Sequence, residues 1–137
     1  MAKMRLNRDS IKSDFTPLDC VDENGNDLVY TVDVKSSKPF QSKASGSNNL
    51  KFDLVVSEGP EQKDGSSATG RHIFANVYAE DDGKAFMLDQ AFDCFGVTPD
   101  ADGEWDSNDF VGQSGQVTLK HEEYNGKTNE RIKKFLS

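Results

Sequence analysis

The chain of 137 residues carries a formal charge of −8 and is 34% hydrophobic, with nine Phe, three Tyr and one Trp. This length fits one domain with a single core, and the negative charge argues against indiscriminate binding to polyanions. No apolar run approaches the roughly 18 to 20 residues of a membrane-spanning helix, so we expect no membrane partner. Residues 1–13 are polar and without periodicity, which predicts a flexible arm before a single domain over 14–137.

Alternating apolar and polar residues predict three strands in the first half of the chain. The first strand covers 28–35 and follows a turn at Asn24-Gly25. The stretch SSKPFQSKASGSNN, 36–49, predicts a long exposed loop because of its Ser, Lys, Asn and Gly content. The second strand covers 50–59 and the third covers 71–80. On the third strand the alternation buries Ile73, Ala75 and Val77 and leaves His72, Phe74, Asn76 and Tyr78 on the opposite face.

The hydrophobic period changes after the third strand. The stretch KAFMLDQAFDCFGV, 84–97, predicts one short buried helix, which Asp81 or Asp82 caps at its start and Gly96 ends. Strands at 115–124 and 127–136 follow an acidic loop and are joined by Asn125-Gly126, a strong hairpin signal. Three strands, a helix and two strands is the order of the OB-fold. We therefore predict a mainly β domain, a five-stranded OB-fold-like Greek-key barrel with one short helix between strands 3 and 4.

The charges are distributed unevenly along the chain. Between Glu80 and Asp109 ten acids stand against one base, whereas 35–52 holds four bases and no acid, and 120–134 holds five bases and three acids. The OB-fold binds its ligands on strands 2 and 3 and on the loops that join strands 1 to 2 and 4 to 5. The two basic segments fall at those two loops, and local fields decide where a phosphate binds.

A groove for single-stranded nucleic acid needs cations along the phosphates and aromatic faces for the unstacked bases. The candidate stacking residues are Phe74 and Tyr78 on the third strand, Phe40 in the basic loop and Tyr124 beside the last turn. Packing in the core or across a hairpin is the alternative for each ring, and a register slip of one residue exchanges Phe74 with its neighbour. The candidate phosphate-binding residues are Lys35, Lys38, Lys43, Lys51, Arg71, Lys120, Arg131, Lys133 and Lys134.

The sequence gives little support to catalysis or to a bound metal. His72 and His121 are the only histidines, and no Cys/His spacing suits zinc. No Gly-rich phosphate loop, nucleophile elbow or convincing acid/base pair is found. We expect no enzyme activity and no cofactor. We also expect Cys20 and Cys94 to be reduced thiols, buried like other small apolar side chains.

The acidic loop after the predicted helix has two interpretations. From Thr98 to Asp109 it partly resembles a calcium loop, but its first position is Thr and its twelfth is Asp rather than a bidentate Glu. A solvated acidic loop is therefore favoured over a calcium site. Trp105 lies between two acids that repel phosphate, so we expect it to anchor this loop to the domain rather than to stack on bases.

Three stretches resemble a bacteriophage family of small OB-fold single-stranded DNA-binding proteins. They are VKSSKPFQSKASGSNNLKFDLVVSEGP, GRHIFANVY and VGQSGQVTLKHEEYNGKTNERIKKFL, within a likeness that covers residues 14–136. The resemblance implies a protein that coats or handles single-stranded DNA during phage replication or recombination. It also implies work in the cytoplasm of the infected bacterial host, with phage replication or recombination proteins as further partners.

Two other interpretations remain beside this one. The acids from Glu80 to Asp109 also suit an acidic β-barrel protein-interaction module that mimics DNA, in which the lysines are bystanders. A small virion or structural protein is the third class. Both a monomer and a homo-oligomer fit the sequence. The leading prediction is a non-catalytic protein that binds single-stranded DNA with little regard to base sequence.

Overall fold

The computed structural model describes residues 17–137, apart from the side chain of Tyr124. The predicted arm, residues 1–13, lies outside the described residues. The strands are β1 Val29–Gln41, β2 Asn48–Glu58, β3 His72–Tyr78, β4 Ser114–Tyr124 and β5 Lys127–Leu136. One helix, α1 Phe86–Phe95, and one 3₁₀ turn, Ser107–Phe110, lie between β3 and β4.

All five strands form one antiparallel sheet in the order β3-β2-β1-β4-β5. The central strand β1 pairs with both β2 and β4, and β3 and β5 are the edge strands. The mainly β architecture and the helix between the third and fourth strands are therefore confirmed. The closed Greek-key barrel is not confirmed, because the described ladder pairings leave the sheet open between β3 and β5.

The first hairpin is longer than the sequence predicts. β1 continues to Gln41 and β2 begins at Asn48, so the predicted loop 36–49 shrinks to a turn over 42–47. β4 pairs with β1 only from Val29 to Asp33, so among the described strands residues 36–41 are bonded to β2 alone. Pro39 is tolerated there because one side of this part of β1 needs no backbone N–H. The prediction of a loop was wrong. A polar stretch can also pair as a strand where it does not have to bury both of its faces.

The buried face of the sheet forms the core. Ile73, Ala75 and Val77 lie on it, as the alternation of the third strand predicts. The buried residues of the first two strands are Tyr30, Val32, Val34, Leu50, Phe52, Leu54 and Val56. Four Phe rings meet at its centre. The ring centroid of Phe52 lies 5.1 Å from that of Phe110 and 6.0 Å from that of Phe95. The centroids of Phe95 and Phe135 are 5.7 Å apart. Each such pair adds about 0.5–1.5 kcal/mol beyond burial. The cluster joins β2, α1, the 3₁₀ turn and β5.

A close contact sets the position of α1 against β4. A Cβ atom at Gly115 would lie 2.5 Å from Sγ of Cys94 and 3.0 Å from a ring carbon of Phe95, so only glycine allows this approach. Leu88 and Ala91 are the other buried residues of the helix. Cys20 and Cys94 are both free and half-buried, and burial raises the pKa of each thiol.

The C-terminal end of α1 agrees with the prediction, and its N-terminal end does not. Gly96 ends the helix in the left-handed conformation, with φ 69, and its N–H donates to the carbonyl of Phe92, as predicted. Neither Asp81 nor Asp82 caps the start, where Ala85 stands without a side-chain bond. The carboxylate of Asp82 instead accepts a hydrogen bond from the backbone N–H of Lys84. Phe86, the first residue of the predicted buried helix, lies on the outer side of α1 and is 70% exposed, so the prediction of burial was wrong for this residue.

The segment before β1 is attached to the end of the sheet where β3 begins. Leu18 is buried, its N–H donates to Oε2 of Glu130 at 3.1 Å, and His121 donates through Nε2 to its carbonyl at 2.7 Å. The buried Gln62 accepts from the N–H of Asp19 at 2.7 Å and donates to the hydroxyl of Tyr30 at 2.9 Å. The described chain thus starts beside the first residues of β3 and the middle of β5.

Candidate nucleic-acid interface

Three cross-strand rows of side chains cover the side of β1, β2 and β3 that faces away from the core. Residues in register on antiparallel strands lie side by side, about 4.5–5.5 Å apart at Cβ. The rows are Phe40, Asn49 and Tyr78; then Lys38, Lys51 and Asn76; then Ser36, Asp53 and Phe74. We call these nine residues the outer face. A row with two lysines therefore lies between two rows that carry aromatic rings.

The lysines of the middle row stand directly opposite each other, Lys38 on β1 and Lys51 on β2. Both are exposed, and no carboxylate lies within ion-pair distance of either in the part of the chain that the structure describes. Like charges placed directly opposite one another destabilise a sheet. An anion bound between the two ammonium groups would relieve that repulsion.

The aromatic residues of the outer face differ in how much of each ring is open to solvent. Phe74 is 55% exposed and Phe40 is 37% exposed. Nζ of Lys51 lies 5.8 Å from the centroid of the Phe74 ring, and the imidazole of His72 is stacked beside that ring at 6.1 Å. Tyr78 is half-buried, and its hydroxyl donates to the carboxylate of Asp82. Phe74 is thus the best-exposed stacking surface, with a cation above it.

One carboxylate lies within the outer face. Asp53 shares the third row with Phe74, and its Oδ1 lies 2.7 Å from Nδ1 of His72. The pair is an ion pair whenever the imidazole is protonated. Acids are therefore not fully separated from the cations, although Asp53 is bonded to His72 and not to either lysine.

Two shallow grooves run between the edge strands β3 and β5. The first has a volume of about 470 Å³ and is lined by Arg71, His72 and Phe74 on one side and by 128–131 on the other. The second, of about 240 Å³, is lined by 74–77 on β3 and by Lys120, Arg131 and Lys133 on the last hairpin. Phe74 and Arg131 line both. We call the two together the seam groove. It brings the bases of β4 and β5 next to the outer face.

We call the basic residues that line the seam groove, Arg71, Lys120, Arg131 and Lys133, the seam cations. Several of them have acidic neighbours. Nζ of Lys133 lies 2.9 Å from Asp27, and the guanidinium of Arg71 lies 3.8 Å from Glu130. Glu122 lines the second groove together with Lys120. These contacts lower the positive field at the seam relative to that of the middle row.

The structure brings together most of the predicted site residues. Five lie on the outer face and four at the seam groove: Lys38, Phe40, Lys51, Phe74 and Tyr78, and Arg71, Lys120, Arg131 and Lys133. Lys35 falls in the register shift between Val34 and Ser36, and Lys43 stands on the exposed 42–47 turn. The side chain of Tyr124 lies outside the described part. Lys38 and Phe40, predicted on a loop, lie on a strand.

The sequence analysis assigns no ligand-binding role to the two amide side chains of the site. Asn49 and Asn76 stand in the first and second rows, where their side chains offer donors and acceptors to a ligand. The alternation of β3 had already placed Asn76 beside Phe74 on the exposed face. Asn49 lies at the end of 36–49, which the composition predicts to be a loop, but its position two residues before Lys51 carries the same period-two signal.

The acidic residues after β3 form a separate feature. Trp105 packs edge to face on Phe92 at 5.2 Å, which confirms the predicted anchor of the acidic loop. Oδ1 of Asp100 accepts from the N–H groups of Asp102 and Glu104, and Asp106 caps the 3₁₀ turn. Within residues 17–137 no three His, Cys, Asp or Glu side chains are grouped to hold a metal ion.

None of the helices in the described chain has both the length and the apolar character needed to cross a membrane. The sequence matches no protein-family model, and no curated protein is found to be similar to it.

Proposed function

We propose that this chain is a non-catalytic single-stranded DNA-binding protein that holds the strand on its outer face and along the seam groove. The observation that carries the proposal is the Lys38–Lys51 pair, two opposed cations flanked by the exposed rings of Phe40 and Phe74. A phosphate between the ammonium groups relieves their repulsion, and an unstacked base on either ring is worth about 1–3 kcal/mol.

The proposed path of the strand crosses from the outer face into the seam groove. Phosphates meet the middle row first and Arg131 and Lys120 next, with Phe74 lying between the two sites. Because every base has a π-face, such stacking tolerates any sequence. We also propose that the sheet is an OB-fold barrel that is open between β3 and β5, since its strand order agrees with that fold and strands 2 and 3 carry the ligand face there.

The biological setting of the proposal comes from the family resemblance alone. It supports a role in phage DNA replication or recombination, in the cytoplasm of the infected bacterium, next to other replication or recombination proteins.

A salt titration tests the proposal. Anisotropy of a labelled poly-pyrimidine oligonucleotide should report binding whose log K falls with log salt, by about 0.7 for each phosphate neutralised. Lys38→Ala and Lys51→Ala should each reduce that slope by about this amount. Lys63→Ala, which removes an equal charge from the exposed loop before β3, should leave it unchanged. No binding at low salt, or affinity independent of salt, would refute the proposal.

An acidic protein-interaction module is the second candidate. It is favoured by a pocket beside α1 that combines exposed Phe86 with several acids and shares no lining residue with the seam groove. Neutralising Asp100, Asp102, Glu104 and Asp106 separates the two functions. The change should leave oligonucleotide binding intact if the outer face is the DNA site. It should abolish binding to a protein partner if the acidic residues form the interaction surface.

A further inference from the structure

A pocket of about 570 Å³ lies beside α1, at the end of the sheet where β3 ends. Its apolar lining includes Phe86, Leu88, Phe92, Pro99 and Trp105. Phe86 is 70% exposed, which is unusual for the first residue of a helix whose opposite side is in the core. The ring of Trp105 is held by Phe92 at 5.2 Å and by Phe110 at 5.9 Å, so this wall of the pocket is rigid.

The remaining lining of this pocket is acidic. Glu80, Asp81, Asp89 and Asp102 line it, and neither a Lys nor an Arg is among its lining residues in the described chain. Glu80 is fixed by a hydrogen bond of 2.6 Å from the N–H of Asn48. An apolar groove with anionic edges is complementary to a peptide that carries cations next to apolar anchors.

A segment with that chemistry is present in the same sequence, outside the described residues. Residues 1–16, MAKMRLNRDSIKSDFT, hold four bases and two acids, and the bases alternate with Met, Leu and Ile. We propose that the acidic pocket of one copy binds residues 1–16 of a second copy, with Lys or Arg at the acidic edge and an apolar side chain against Phe86 and Trp105.

The position of Pro17 favours a second copy over the same one. Pro17 lines a cleft with Gln62 and Arg71, next to the start of β3, whereas the pocket begins at Ala79 beyond its end. β3 has seven residues, so these points are separated by about 23 Å along the strand. The direct route on one copy runs beside the seam cations, which repel a basic segment. Sixteen extended residues span up to about 55 Å, enough to reach a neighbour.

This contact is heterologous, because the segment of each copy meets a different surface on the next. Contacts of that kind form open chains unless their rotation closes a ring. The seam groove shares no lining residue with the pocket, so a chain of copies leaves it open. The inference does not depend on DNA binding, and it is tested without DNA.

Sedimentation of the full chain over a range of concentrations is the first test. We expect monomers in equilibrium with dimers and longer species. Phe86→Ala, or Arg5→Glu together with Arg8→Glu, should weaken the association about tenfold or more, as loss of an anchor does. Glu23→Gln, which removes an exposed acid that lines neither the pocket nor the cleft of Pro17, is the matched control and should change nothing. Unchanged thermal unfolding of each variant shows that the fold is retained.

Mixing two defective chains is the second test. Chains with Asp89→Lys lack a working pocket and chains with Arg5→Glu and Arg8→Glu lack a working segment, but together they retain one intact contact. Equimolar mixing should restore dimers and nothing longer. A wild-type chain that stays monomeric refutes the proposal. So does failure of the mixture to dimerise while the wild type associates, which is the result expected if the copies associate through another surface.

Discussion

The two basic hairpins carry similar numbers of cations, yet they present them differently. In the β1–β2 hairpin Lys38 and Lys51 face each other, with no carboxylate in ion-pair range within the described residues. In the β4–β5 hairpin Lys133 is bound to Asp27, and Glu130 of the same strand lies beside Arg71. A count of bases therefore does not measure the positive charge that a ligand meets. The comparison predicts that the first hairpin dominates binding.

The largest expected effect compares the two hairpins directly. Lys38→Ala with Lys51→Ala should weaken binding to a short oligonucleotide about hundredfold, since two hydrogen bonds to charged groups are worth about 3 kcal/mol or more. Arg131→Ala with Lys133→Ala should cost only about tenfold, because Lys133 must first leave Asp27. Anisotropy titrations at one salt concentration measure both. Equal losses would contradict the ranking of the hairpins.

The ring of Phe74, on β3 next to the first hairpin, gives the next effect. Phe74→Leu keeps an apolar side chain but removes the π-face, and it should weaken binding by about 1–3 kcal/mol. Phe74→Tyr keeps the ring and should bind like the wild type. The same anisotropy assay decides between stacking and simple apolar contact. A tyrosine variant as weak as the leucine variant would exclude stacking on this ring.

Releasing a paired cation in the second hairpin should raise affinity instead of lowering it. Asp27→Asn leaves Lys133 without its partner, and oligonucleotide affinity should rise by about two- to fivefold. The free energy of unfolding should fall by less than about 1 kcal/mol, because the pair is solvent-exposed. Denaturant unfolding and anisotropy of the same preparation measure both quantities. Unchanged affinity would show that Lys133 does not face the strand.

The smallest effect concerns the edge of the outer face. The hydrogen bond to Asp82 raises the pKa of Tyr78 to about 12 and lowers the pKa of Asp82 below its usual 3.8. The stabilisation from this bond is therefore complete below the usual Tyr pKa of about 10, and it is lost as pH rises through 12. It is also lost as pH falls from 3.8 through the lowered pKa of Asp82.

Relative to the wild type, Tyr78→Phe should remove the absorbance of one phenolate that develops near pH 12, and Asp82→Asn should move that absorbance to lower pH. Affinity for the oligonucleotide should change by less than about twofold, since the ring stays in place. Spectrophotometric titration of the two variants beside the wild type makes the measurement. If Tyr78→Phe instead removes absorbance that develops near the usual Tyr value, the bond to Asp82 is absent in solution.

The strand faces could be predicted from the sequence because alternation has a period of two and one face of the sheet must be buried. The alternation therefore predicts that Phe74 lies on the outer side of β3, where the structure has it. The length of β1 was missed because polar composition says little about pairing on an exposed hairpin. The seam groove was also beyond prediction. It depends on how β5 lies beside β3, and contacts such as Lys133 with Asp27, 106 residues apart, leave no local signal.

Pro39 has a consequence for the behaviour of the chain at high concentration. From Ser36 to Gln41 one side of β1 has no neighbouring strand among the described elements, and such an edge can recruit a foreign strand into ordered aggregates. Proline lacks the N–H that a recruited strand would need, and the ammonium group of Lys38 adds charge at the same place. The residue that interrupts the sequence pattern of a strand thus protects the solubility of the folded chain.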